Sequence, residues 1–146
     1  MSAFRTLITG FVAAVALVGI AHARDTTLHL PIRDVLEDAE FKPQLAGGAE
    51  LHFGKAAPAG KFADLGEFVT NRKTNAFGKS DEKACKWAML SALLQLQEKA
   101  KALGGNAVVN IRSYYKRDES WSDTEYECHA GGLIGGVALK GRIVRK

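Results

Sequence analysis

Two cysteines, Cys85 and Cys128, are the residues best suited to covalent chemistry in this 146-residue chain. Cys85 falls on the apolar stripe of a predicted helix. Cys128 lies in the alternating run Thr124 to Ala130, where Tyr126, Cys128 and Ala130 share one face and Glu125, Glu127 and His129 the other. The two inward-facing thiols can meet across a helix–sheet contact. In an exported chain an even pair reads as a disulfide. Closing so long a loop stabilises by about 4 kcal/mol in the chain-entropy account. The catalytic alternative is a Cys85 thiolate near a helix N-terminus, where the dipole lowers the thiol pKa, with His129 as its base. Alternation sends His129 to the face opposite Cys128, which argues against that pairing.

Metal chemistry needs clustered ligands. His29, His52 and His129 occupy outward positions of alternating segments, and the chain has no H-x-x-x-H or C-x-x-C. The weak candidates are Glu125, Glu127 and His129, which share one strand face. A ligand surface is better served by Arg112, Tyr114, Tyr115 and Trp121, aromatics among cations that can stack on sugar rings or bases. Gly78-Lys79-Ser80 matches only the end of a phosphate-binding loop. The pattern G-x-x-x-x-G-K-[ST] would need glycine at Lys73, so no nucleotide cofactor is expected. Gly131-Gly132-Leu133-Ile134-Gly135-Gly136 does not fit G-x-G-x-x-G. Such density in a strand suggests bulges, or a helix lying close over the sheet.

These residues need a helix and a sheet to hold them. Ser80 is a good N-cap, and Asp81 and Glu82 complement the helix dipole. Cys85, Met89, Ala92, Leu93, Leu96, Ala100 and Leu103 recur at helical spacing, and Gly104 is placed to end the helix. The spacing therefore predicts one long amphipathic helix over about residues 80–103. Ala107 to Tyr115 reads as a strand, with Ala107, Val109 and Ile111 on one side and Asn110, Arg112 and Tyr114 on the other.

From the start of the chain, residues 1–23 read as a signal peptide. Arg5 is the basic residue, Leu7 to Ile20 the apolar region, and Ala21-His22-Ala23 the cleavage pattern before Arg24. The apolar run is shorter than the roughly 20 residues that span a bilayer, so no transmembrane segment is expected after cleavage. Residues 24–146 suit one domain. The formal net charge of +4 is mild and well mixed, and gives no nucleic-acid signature. Lys140, Arg142, Arg145 and Lys146 read as a solvated strand end and tail. Further strands are expected over Thr27–Ile32, Ala49–Phe53, Phe62–Asn71 and Leu133–Val144. A short helix is expected over Arg33–Phe41, broken by Lys42-Pro43. Asn71–Lys79 and Lys116–Asp123 are expected as polar loops. The fold class is α+β: one long helix packed on a sheet of about five strands.

The run Ala100 to Arg112, followed by the glycine-rich stretch Gly131 to Val144, resembles the YbjQ-like family and RcsF-like domains. The likeness covers the C-terminal half. Over nearly its whole length, through T-N-R-K-T-N, G-K-S-D-E-K-A-C-K-W and Y-E-C-H-A-G, the chain is similar to small exported proteobacterial proteins. These often carry the label "excinuclease ATPase subunit", an activity for which the residues supply no nucleotide site. The signal peptide, the disulfide reading and the lack of any complete catalytic set point to a periplasmic, non-enzymatic domain that binds or senses an envelope component, protein or glycan. YbjQ-like proteins tend to form rings, so the resemblance also admits a homo-oligomer. RcsF-like lipoproteins carry a cysteine at the cleavage site and this chain has none there, so no lipid tether is carried over. The alternatives are a weak metal-binding protein, as the YbjQ-like label hints, and a thiol-dependent enzyme using Cys85.

Overall fold

The computed structural model describes residues 23–56 and 58–146. The signal peptide expected over residues 1–23 lies, save for Ala23, outside the described residues. The elements run β1 (Thr26–Pro31), α1 (Arg33–Leu36), α2 (Lys42–Leu45), β2 (Glu50–Phe53), β3 (Ala63–Asn75), α3 (Asp81–Leu103), β4 (Ala107–Tyr115), β5 (Asp118–Ser120), β6 (Glu125–Ala130) and β7 (Ile134–Arg145).

The sheet has seven strands rather than about five, and β7 is its spine. Along one edge β7 pairs with β3, from Asn75↔Ile134 to Ala63↔Arg145. Its other edge is shared. β6 takes the first two positions, at Gly135 and Gly136, and β4 takes the rest, from Ser113↔Leu139 to Ala107↔Val144. β1 pairs with β6, β5 with the end of β4, and β2 joins β4 in parallel. The expected loop over Asn71–Lys79 is corrected: β3 runs on through Asn75. Its polar residues are tolerated because one sheet face there is open to water, while the backbone is held by β7. Lys42-Pro43 does not break a helix but opens α2, since proline lacks the N–H that the first turn leaves unused.

α3 forms where expected. The Ser80 hydroxyl accepts a hydrogen bond from the Lys83 N–H at 3.2 Å. Gly104 adopts φ +74° and ends the helix. Cys85, Ala88, Met89, Ala92, Leu93, Leu96 and Ala100 pack against Val108, Ile111, Tyr126, Cys128, Val137, Leu139 and Ile143 to make the core. Leu103 escapes it and is exposed. Gly135 in β7 lets the helix come close, since a methyl group there would sit 3.2 Å from the Ala84 Cβ. At Gly141 the tight neighbour is β4: a methyl group would lie 2.7 Å from the Val108 side chain. Cys85 and Cys128 form a disulfide spanning 43 residues, which joins the start of α3 to β6. The amide of Gln97, in the later turns of the helix, donates to the carbonyls of Leu45 at 3.0 Å and Ala49 at 2.9 Å. Both ends of α3 are thereby tied to the rest of the chain.

Candidate functional site

The opposite face of the sheet carries only a small apolar cluster, Ala107, Val109 and Val144, with Phe62 against it. Most of the rest is charged and aromatic, with Val69 exposed beside Lys140. One irregularity in β4 arranges it. Val109 faces Arg142, but the next partner pair is Arg112 with Lys140, so β4 holds one residue more than β7 over this interval. The extra residue is a bulge. Asn110 sits there with φ +52°, a left-handed conformation that asparagine tolerates better than most. Its Nδ2 donates to the Gly54 carbonyl at 3.0 Å, and the Gly54 N–H donates to the Ile111 carbonyl at 3.0 Å. The loop after β2 thus clamps the bulge.

The bulge corrects the expected alternation of β4. Ile111 turns inward with Val108, while Ala107 and Val109 lie on the far face. Arg112, which strict alternation would set apart from Val109, comes out on the far face instead.

Arg112 is only 6 % exposed. Its Nη2 donates to Glu67 Oε2 at 2.8 Å and to Glu119 Oε1 at 2.9 Å, and its Nη1 donates to the Asn110 carbonyl at 3.0 Å. The guanidinium carbon lies 4.5 Å from the ring centre of Trp121. Arg142 pairs with Asp64 and Glu67. Lys140 Nζ reaches Glu67 and Glu119 at 3.5 Å each and lies 4.7 Å from the ring centre of Tyr114. Trp121 Nε1 donates to Glu119 at 3.2 Å, and Lys55 Nζ stands 5.7 Å from the same indole. Together Lys55, Glu67, Asn110, Arg112, Trp121 and Arg142 line a recess of about 430 Å³. Trp121, 37 % exposed, also borders a second recess of about 340 Å³ with Gly54 and Asp123.

The electrostatics favour fixed charges. The bonds from Arg112 hold the Glu67 and Glu119 carboxyls below the usual carboxylate range. The Gly66 N–H, then Arg142, do the same for Asp64. Burial pulls the Arg112 guanidinium down, but its bonds to Glu119 and Glu67 outweigh burial and raise its pKa. Carboxylates held ionised in this way are poor general acids or bases near neutral pH. Such fixed charges suit recognition of a polar ligand. Among the described residues the buried Arg112 Nε has no hydrogen-bond partner. A buried donor without an acceptor costs free energy until one arrives.

Of the four residues expected on a ligand surface, Arg112, Tyr114 and Trp121 belong to this face. Tyr115 does not. Its ring stacks on His129, with centroids 3.3 Å apart. His129 in turn meets Glu127 through Nε2 at 2.5 Å and Asp25 through Nδ1 at 3.3 Å. Both imidazole nitrogens are thus engaged by carboxylates. Glu125 lies exposed at the start of β6. Cys85 and Cys128 are both consumed by the disulfide. Lys55, Glu67, Asn110, Glu119, Lys140 and Arg142 went unread as site residues. Only the alternation of Lys140 and Arg142 along β7 hinted that they share a face. A larger recess of about 620 Å³ lies between α2 and the end of α3, lined by Gly47, Gly48, Leu94 and Gln97 among others. The Gln97 amide there is already satisfied, and no buried donor awaits a ligand. No family model, curated protein or solved structure matches the chain.

Proposed function

We propose that this protein is an exported, periplasmic, non-enzymatic binding module of the YbjQ-like and RcsF-like kind, and that the Arg112–Trp121 recess receives its ligand. One observation carries the reading: a nearly buried arginine, bordering a recess, with one donor unmet beside an exposed indole. Lys55, Arg112 and Arg142 line the recess, so an acidic group can meet their charge while a ring rests against Trp121. Cations interleaved with ionised carboxylates can bond sugar hydroxyls as well as acidic groups. An acidic envelope glycan has both features. The disulfide fits an oxidising compartment. It also leaves no free thiol among the described residues, so a thiol-dependent reaction at Cys85 would first require reduction. The test is calorimetric titration with soluble peptidoglycan fragments, and with neutral chito-oligosaccharide as the contrast. Saturable binding of the acidic fragments, lost in Trp121→Ala and in Arg112→Lys, is the expected result. Binding that survives both substitutions, or no saturable binding, overturns the reading.

A further inference from the structure

Two connections meet at one end of the sheet: the turn from β3 to α3, residues 76–80, and the tip of the β6–β7 hairpin, residues 131–133. The Ala76 N–H donates to the Leu133 carbonyl at 2.8 Å, and Asn75 pairs with Ile134. Clamped together, they expose Phe77 (73 %), Leu133 (65 %) and Ile134 (51 %). Single exposed apolar side chains need no explanation. Three of this size on two joined loops make a patch, and patches mark interaction surfaces.

The rim of the patch is mostly basic. Arg72 and Lys73 lie near the end of β3, Lys79 lies in the turn, and Lys83 is in the first turn of α3 beside Glu82; all five are exposed. None of them forms an ion pair among the described residues. Nearby Asp81 is already held by Arg24, at 2.7 and 2.9 Å. Arg24 also donates to the Gly131 carbonyl at 3.0 Å, so the chain enters the domain beside this tip. Apolar loop tips and lysines without ion pairs thus coincide at one end of the molecule.

We propose that this end rests on an anionic lipid surface. Phe77, Leu133 and Ile134 enter the headgroup layer, and Lys73, Lys79 and Lys83 meet lipid phosphates. Apolar burial with a basic rim is how peripheral proteins hold such a surface. The assignment is independent of the recess, which belongs to the outer sheet face.

The test floats the exported protein with vesicles of phosphatidylglycerol and phosphatidylcholine in equal parts, and with vesicles of phosphatidylcholine alone. Binding to the anionic vesicles that weakens with salt is expected. Phe77→Asp with Leu133→Asp should weaken it by about tenfold or more, since two buried apolar side chains are lost. Both positions are exposed, so the disulfide and the thermal transition should persist. Lys73→Glu with Lys79→Glu should abolish the preference for anionic vesicles without touching the apolar tip. Equal partition of the aspartate variant and the parent protein overturns the proposal. So does equal binding to both vesicle types, or a dimer in native mass spectra that the aspartate variant dissolves.

Discussion

At the scale of single residues, the site turns on Arg112. Lysine there keeps one charge but offers its donors from a single atom, where the arginine reaches Glu67, Glu119 and the Asn110 carbonyl from two nitrogens of a planar fork. Arg112→Lys should cost about 2 kcal/mol, the scale of a lost buried hydrogen bond to a charged group. Acid gives a sharper reading. Glu67 and Glu119 have folded pKa values below their unfolded ones. Their contribution to stability is therefore complete above the ordinary carboxylate range and is lost as pH falls through the lowered folded values. Thermal unfolding followed from neutral to strongly acidic pH should fall more steeply for the parent chain than for Arg112→Lys. Parallel curves would mean that the arginine does not hold these carboxylates. The sequence marked Arg112, Tyr114 and Trp121 by residue type alone. It could not mark Glu67, because a lone acid on a strand has no local signature, and its role comes from β7 and β4 lying beside it.

At the scale of elements, legibility follows sequence distance. α3 was readable because its cap, its stripe and its stop are local signals: Ser80, the periodic apolar residues and Gly104. The far half of β3 was not, because Asn71 to Asn75 become a strand only through pairing with β7. The bulge at Asn110 was hidden for the same reason, and it cost the alternation of β4. The glycines of the run Gly131 to Gly136 were read as bulges or sites of close approach; Gly141, further along β7, was not, and it is tightly enclosed as well. A methyl group there would press on Val108 and approach Ile111. Gly141→Ala should cost about 1–3 kcal/mol as overpacking, measured as a lower denaturant midpoint with unchanged slope. A neutral outcome would show that Val108 and Ile111 can give way beside β7. The β4–β5 turn offers the reverse case. Lys116 and Arg117 both have positive φ, 51° and 66°, where asparagine and glycine are preferred. Replacing the pair by Asn-Gly should stabilise the domain by about 1 kcal/mol or more, read from the same midpoint. No gain would mean that the two cations make compensating contacts in the native hairpin.

At the scale of the whole molecule, the sheet is not held evenly. β3, β7 and β4 share long ladders. β6 touches β7 at only two positions, and β1 is joined to the sheet through β6. The β1–β6 ribbon is therefore kept in place by its apolar face under α3, formed by Tyr126, Cys128 and Ala130, by the disulfide, and by two contacts with β4: the Tyr115–His129 stack and the bond from the Glu127 N–H to the Ser113 hydroxyl at 3.0 Å. Both sulfurs are fully buried, so a reductant gains access only when this region opens. Removing the bond with Cys85→Ala and Cys128→Ala should lower stability by about 4 kcal/mol on the chain-entropy account. The loss should not be uniform. Hydrogen exchange followed by mass spectrometry should show β1 and β6 losing protection first, while the β3–β7–β4 ladders keep theirs, as expected of a locally opening unit. The recess lies on those ladders and on the loops beside them, so ligand binding should outlast the loosening of the ribbon. Equal loss of protection in every strand would instead make the sheet one cooperative unit. The disulfide would then be a brace for the binding face as much as for the ribbon.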